Sequence, residues 1–342
     1  MPKSILNYSL LCAGLFISSL SCAQMDSSSC EALVSLGLAD GVISSAEYVD
    51  AGSFNATSAR GTEVYNDLQA FCRISAVLSP VEGSNIQIEV WLPVQGWNNK
   101  LVAVGNGGLA GSISYSALAG AVAEGFAAVS TDTGHEGQNP DFLTDRVLLT
   151  DFAYRAIHEM TVTAKAVVSN YYSINPRFTY FSGCSTGGRQ ALTAAQRYPD
   201  DFDGIVAGAP VNYYQAMNAA GVWWLQRLFK DNFAGNIAVD TDGDGSFDSL
   251  ELLSTLHSRV LSKCDAIDVI SDGVLTNPLQ CEFEPERDLA DLMCGAGPAT
   301  DQCFTSAQLQ TVQDFYDGPS DSAGNVLYPG KALGSELDWR NL

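Results

Sequence analysis

Ser185 sits in Gly183-Cys184-Ser185-Thr186-Gly187, a match to G-x-S-x-G. The pattern alone arises often by chance, so its flanks decide what it means. Before it, Phe178 to Phe181 is an apolar, β-prone run; after it, Ala191, Leu192, Ala194 and Ala195 read as a helix that ends near Pro199. Strand, tight turn and helix is the context that holds a nucleophilic serine out of the backbone, and Gly183 and Gly187 leave room for the turn. The chemistry such a serine offers is acyl transfer, with backbone N–H groups beside it to receive the oxyanion. A plain glycine-rich turn is the weaker reading.

A second glycine-rich loop, Gly105-Asn106-Gly107-Gly108, follows the buried-strand pattern of Lys100 to Val104. A phosphate cradle is disfavoured, because there is no Lys-Ser/Thr pair, no G-x-G-x-x-G and no basic neighbour. An amide of this loop suits the second oxyanion donor, and a simple strand-to-helix turn suits the residues equally well. The histidines are His135, His158 and His257. In the order serine, acid, histidine only His257 follows Ser185, and it reads as a packing or surface residue. No histidine and no acid is well placed to complete a triad.

Two acidic loops offer oxygen ligands. Asp265, Asp268 and Asp272 share one short stretch between Cys264 and Cys281, and with backbone carbonyls they make a hard shell suited to Ca²⁺. If the two cysteines pair, the loop is closed covalently, an effect of about 3 kcal/mol. The second loop matches the D-x-D-x-D-G-x5-E calcium pattern, with Asp240, Asp242, Asp244, Asp248 and, in its last position, Glu251. A helix from about Leu250 to Leu261 follows it; Phe233 to Val239 before it looks loop-like. A solvated acidic turn is the bland alternative for both.

The elements that must position Ser185 follow from the apolar pattern. Ile74 to Leu78, Ile86 to Leu92, Lys100 to Val104, Phe126 to Ser130, Phe178 onwards and Ile205 to Pro210 read as strands. Cys30 to Leu36, Ala117 to Glu124 and Asp151 to Val168 read as helices. Strands alternating with helices predict an α/β fold around a mainly parallel sheet. After Pro210 the alternation stops, and residues 211–342 read as an inserted lid on a core spanning 24–210.

The start of the chain looks like an export signal over residues 1–23. Lys3 supplies the positive end, Leu10 to Leu20 is mostly apolar, and Ser21-Cys22-Ala23 is a small-residue cleavage site. A lipoprotein signal is the alternative, but Ser19 stands where such a signal usually has leucine. No other stretch is apolar enough to span a bilayer. This places the protein outside the cytoplasm, secreted or periplasmic. With 17 basic and 39 acidic residues, a net charge of −22, the surface repels phosphate backbones and anionic lipid, so no nucleic-acid partner is expected. Export with seven mature cysteines implies disulfides. Local neighbours suggest Cys264 with Cys281 and Cys294 with Cys303, leaving Cys30 with Cys72, although spacing alone does not fix connectivity. Cys184, next to Ser185, is left over.

These residues resemble the tannase and feruloyl esterase family, which also contains a hydrolase of mono(2-hydroxyethyl) terephthalate. The likeness rests on Gly183 to Arg189, Asp203 to Pro210, Cys264 to Asp268 with Asp272-Gly273, Cys30 to Leu33 and Gly105 to Gly108. It implies an α/β-hydrolase core with a large lid inserted after Pro210. It implies Ser185 as nucleophile, with the N–H groups of Thr186 and Gly108 as oxyanion hole. It implies a structural calcium on Asp265, Asp268 and Asp272 with the carbonyls of Ile270 and Val274, and it supports the three pairings above. The substrate would be a small aromatic ester, feruloyl first, with galloyl or terephthalate monoesters as alternatives. The resemblance also expects a catalytic Asp and a His-Cys pair, the cysteine bonded to Cys184, beyond Leu342. The expectation is thus an incomplete core that is inactive alone, or, in a different class, a catalytically dead calcium-stabilised binding protein. The Asp240–Glu251 loop is not part of the family pattern.

Overall fold

The computed structural model describes residues 26–58, 61–240, 244, 247–295 and 300–341. The expected export signal lies outside them. Two compact units divide the chain, Met1–Asn212 and Tyr213–Leu342.

The first unit is built on a seven-stranded mixed sheet. Its strands are β1 (Gly41–Val49), β4 (Phe71–Leu78), β5 (Ile86–Pro93), β6 (Lys100–Val104), β7 (Ala127–Thr131), β8 (Phe178–Cys184) and β9 (Gly204–Gly208), in the spatial order 1-4-5-7-6-8-9. A separate hairpin pairs β2 (Phe54–Ser58) with β3 (Gly61–Tyr65). The pairings from β1 to β7 are antiparallel, and those from β7 through β6 and β8 to β9 are parallel. The parallel strands are the runs in which neither face can be polar. Leu101, Ala103, Ala127, Val129 and Phe181 enter one core with Ile157, Met160 and Ala164 of α2 (Ala156–Tyr172) and Ala191 and Ala194 of α3 (Thr186–Arg197). Val102, Val104 and Ala128 enter the other, with Leu118 and Val122 of α1 (Tyr115–Ala123). Helices on both faces explain why these strands read as continuous apolar runs.

From β6 the chain crosses to β7 on one side, then returns past β6 to β8 on the other. The order reverses between β6 and β8, and a crevice opens outside the carboxyl ends of strands at such a point. The loops leaving those two ends are Gly105–Gly108 and Cys184–Ser185. The sequence expects a helix from Asp151; its first turn, Asp151–Arg155, is instead a π-helix that leads into α2.

The second unit holds α4 (Tyr214–Phe233), α5 (Glu251–Cys264) and α6 (Ser306–Asp317) around its own core of Trp224, Leu252, Leu256, Phe304, Val312 and Phe315. Among the described residues it has isolated bridges and no strand element. Within α4 the backbone leaves helical geometry at Lys230, and Asp231, Asn232 and Phe233 are left-handed, so the stretch leading to the Asp240 loop is irregular, as the sequence expects. Disulfides join Cys30–Cys72, Cys264–Cys281 and Cys294–Cys303, and Cys184 is free and exposed. Among the described residues no helix is long and apolar enough to cross a membrane.

Candidate active site

Ser185 caps α3 with φ 60° and ψ −118°, a conformation that costs a non-glycine residue about 1–3 kcal/mol. Its neighbours hold it there. Ser185 N–H donates to the Gly208 carbonyl (3.1 Å), and its own carbonyl accepts from Arg189 N–H (3.0 Å) and Val211 N–H (3.2 Å). The turn needs close backbone approach. A Cβ on Gly183 would stand 2.6 Å from the Gly187 carbonyl, and one on Gly188 would stand 2.3 Å from the Gly208 oxygen.

The loop after β6 is tied to this turn. Gly187 N–H donates to the Asn106 carbonyl (2.7 Å). Asn106 N–H donates to Gln190 Oε1 (3.0 Å), and Gln190 Nε2 donates back to Asn106 Oδ1 (3.0 Å). Asn106 Nδ2 reaches the carbonyls of Thr131 (2.7 Å) and Ser112 (3.1 Å). Asn106 and Gln190 are both buried, so this reciprocal pair locks the end of β6 to the first turn of α3. Sequence reading singled out neither residue for this role. Thr186 Oγ1 then donates to the Gly108 carbonyl (2.5 Å), bringing the loop directly against the residue after Ser185. Thr186 opens α3, so its N–H has no acceptor within its own helix. Gly107 O accepts Ala110 N–H (2.9 Å). Because a trans peptide keeps its C=O and N–H opposed, that bond also sets the direction of Gly108 N–H.

The three histidines are engaged elsewhere. His135 Nε2 stands 2.7 Å from the Leu109 carbonyl. A carbonyl can only accept, so Nε2 carries the proton and is not free to act as a base. Burial holds the His135 imidazole below its usual pKa, and the ring stacks on Phe142. His158 Nδ1 pairs with Asp201 Oδ2 (2.7 Å) and stacks on Tyr198. Tyr198 follows the twelve-residue α3, which places it about 18 Å along the helix from Ser185. In the second unit, His257 Nδ1 pairs with the fully buried Glu336 (2.7 Å). Of the nearby carboxylates, Asp132 is buried at the end of β7, and burial pushes its pKa up to about 7. Its Oδ1 accepts the N–H groups of Gly134 (2.7 Å) and Gln87 (3.0 Å), which makes it a brace for the β7 loop.

In the disulfide-closed loop of the second unit, Asp265 Oδ1 accepts Gly273 N–H (2.9 Å), Asp268 Oδ1 accepts Ile270 N–H (3.1 Å) and Asp272 Oδ1 accepts Val274 N–H (3.0 Å). Thr276 Oγ1 also donates to Asp268 Oδ2 (2.6 Å), which with the Ile270 N–H holds the Asp268 carboxyl below the usual range. The donors are all oxygen, which fits a hard cation in chemical type. No group of three His, Cys, Asp or Glu stands close enough to hold a metal ion among the described residues. In the second acidic loop, Val239 and Ser249 bridge the base and Glu251 opens α5, while Asp242 lies outside the described residues. Trp224 is buried in the core of this unit against Phe315 and Tyr328. Trp223 is partly buried there, under the Arg227 guanidinium.

A mixed sheet whose parallel half carries a strained serine at its switch point defines an α/β-hydrolase fold. The family model for tannase and feruloyl esterase matches residues 72–341, and the chain belongs to that family. A probable feruloyl esterase B-2 of Aspergillus flavus is 34% identical over 304 residues, covering 85% of this chain and 54% of that protein. An uncharacterized esterase of Xanthomonas campestris is 37% identical over 308 residues, covering 89% and 50%. The crystal structure of feruloyl esterase B from Aspergillus oryzae superposes with a TM-score of 0.76 at 31% identity, over 92% of this chain and 61% of that one. A tannin acyl hydrolase from Aspergillus niger shares the fold at a TM-score of 0.68 and 22% identity, over 92% and 58%. The chain spans about half the length of the curated relatives it matches.

Proposed function

We propose that this chain carries the nucleophile and oxyanion hole of an exported serine carboxylic-ester hydrolase, with feruloyl or related hydroxycinnamoyl esters as substrates. The observation that carries the reading is the strained Ser185 with Gly108 tied against Thr186 by a 2.5 Å hydrogen bond. Ser185 Oγ attacks the ester carbonyl carbon. A histidine takes the serine proton as the C–O bond forms, and the oxyanion rests on the N–H groups of Thr186 and Gly108. Collapse expels the alcohol, which takes the proton from the histidine. Water, deprotonated by the same histidine, then releases ferulate and restores Ser185. Neither His135, whose Nε2 proton goes to the Leu109 carbonyl, nor His158, beyond the far end of α3, is placed to do this, and the reading assigns the histidine and its orienting acid to another segment. The 342-residue chain alone is expected to show little turnover. Export is supported by three disulfides.

The test is a substrate panel given to the full-length gene product: methyl ferulate, methyl gallate and mono(2-hydroxyethyl) terephthalate. The highest kcat/KM is expected on methyl ferulate. A galloyl or terephthalate preference would move the substrate within the family, and no turnover of any ester would favour a calcium-stabilised binding protein.

We further propose a structural Ca²⁺ held by Asp265, Asp268 and Asp272 with the carbonyls of Ile270 and Val274. Its role is to tie down the lid loop, and it takes no part in the chemistry. At a hundredfold excess over Kd the ion would add about 2.7 kcal/mol. Chelation is therefore expected to lower Tm, with calcium restoring it and magnesium failing to. Native mass spectrometry counts the ions: one for this loop, two if Asp240, Asp242, Asp244, Asp248 and Glu251 bind as well. A Tm indifferent to chelator, with no ion retained, would return both loops to solvated turns.

A further inference from the structure

The loop that leaves β7 contributes a clamp that the reaction scheme above does not use. Gln138 Oε1 accepts Leu109 N–H (2.8 Å), and Gln138 Nε2 donates to the Ala110 carbonyl (2.6 Å). One side-chain amide thus holds two successive residues of the loop, accepting from one and donating to the other. The surrounding loop completes it: Gly137 N–H donates to Gly111 O (2.8 Å), Gly111 N–H donates to Asp132 O (3.0 Å), and His135 Nε2 donates to Leu109 O (2.7 Å). The peptide between Gly108 and Leu109 is therefore held at both ends, its oxygen by Thr186 and its N–H by Gln138. The fit leaves no space for a side chain at position 108. Gly108 has φ +56°, and a Cβ there would stand 2.5 Å from Gln138 Oε1.

We propose that Gln138 is a positioning residue for the oxyanion hole: its amide fixes the Gly108–Ala110 loop so that Gly108 N–H keeps its aim beside Ser185. The inference rests on the reading of Ser185 and Gly108 given above. Preorganised donors act only when their direction is set before the reaction, and a misplacement of about 1 Å can cost on the order of 100-fold. The clamp needs one acceptor and one donor on the same planar group. Glutamate has the same shape, but its second oxygen would face the Ala110 carbonyl, acceptor against acceptor.

The experiment compares Gln138→Ala and Gln138→Glu with wild type in the full-length protein, with Ser185→Ala as control. Both variants are expected to lose roughly 10- to 100-fold in kcat while KM stays within about threefold. The ratio of Q138E to wild-type kcat is expected to rise toward acidic pH, because the introduced carboxyl, once protonated, can again donate to the Ala110 carbonyl. In the full-length protein, hydrogen exchange at Leu109 N–H is expected to speed up about tenfold or more in Q138A, with Val104 unchanged. A kcat for Q138E within threefold of wild type would overturn the proposal, since packing alone tolerates that isostere. Faster exchange without a kcat loss would overturn it too. Undiminished turnover by S185A is a different failure: it would remove the site itself, and the proposal with it.

Discussion

Replacing Ser185 by alanine is expected to lower kcat on methyl ferulate by on the order of 10⁵-fold or more, while leaving the fold intact. The size follows from the serine's role. Without Oγ no acyl-enzyme forms, and the oxyanion donors have no attacking group to assist. Stability should move in the opposite sense for a second substitution. Ser185 holds φ 60° against a cost of about 1–3 kcal/mol, and glycine adopts that conformation freely. Ser185→Gly is thus expected to be as inactive as S185A yet to melt at a higher temperature. Circular dichroism melts beside the ester assay separate the two effects. A Ser185→Gly variant that melted below wild type would show that the turn stores no strain.

The largest effect on stability is expected at Asp151. Its carboxylate is fully buried beneath the π-turn, where Arg155 Nε donates to Oδ1 (2.5 Å) and Ser84 Oγ donates to Oδ2 (2.8 Å). Arg155 Nη2 also reaches Ser84 Oγ (3.1 Å) and the Val147 carbonyl (3.2 Å). Asp151→Ala leaves a largely buried guanidinium without its charge partner, a loss of about 3 kcal/mol. In a unit of this size that lowers Tm by roughly 10 °C. The damage should reach the elbow helix, because Arg189 donates to the carbonyls of Ala153 (3.0 Å) and Phe152 (3.2 Å) within the same π-turn. Adding Arg155→Met removes the stranded charge, so the double variant should recover part of the loss. A double variant no more stable than D151A would mean that the cost lies in packing and not in the unpaired cation.

The strained turn at Ser185 was legible because its signal is local. Gly183, Gly187 and the apolar run from Phe178 lie within a few residues of it, and the strain they permit is where the structure has it. The strands Lys100–Val104, Ala127–Thr131, Phe178–Cys184 and Gly204–Gly208 were legible for a related reason: helices cover both faces, so few of their positions are polar. Strand β1, at the sheet edge, was not. Its sequence Gly-Val-Ile-Ser-Ser-Ala-Glu-Tyr-Val is half exposed and carries a register shift between Ile43 and Ser45, which breaks the alternation a reader counts. The hairpin of β2 and β3 was missed as well, lying in a polar stretch outside the main sheet. The clamps around the site were beyond reach for another reason. Asn106 and Gln190 are 84 residues apart, Leu109 and Gln138 are 29 apart, and Ser84 and Asp151 are 67 apart. Pairs at such separations leave no periodicity, and each residue looks like an ordinary polar loop or helix position. The acid loops show the converse limit. Asp265, Asp268 and Asp272 were easy to find by spacing, yet each turns one oxygen onto a backbone amide, and spacing does not reveal that division of lone pairs.

The most direct measurement traps the acyl-enzyme. The full-length protein is mixed with 4-nitrophenyl ferulate, quenched in acid within the first turnover and digested for peptide mass spectrometry. The expected result is a feruloyl ester on the peptide that contains Ser185, absent from S185A. A feruloyl adduct on any other residue, or burst release of nitrophenol with Ser185 unmodified, would contradict the account.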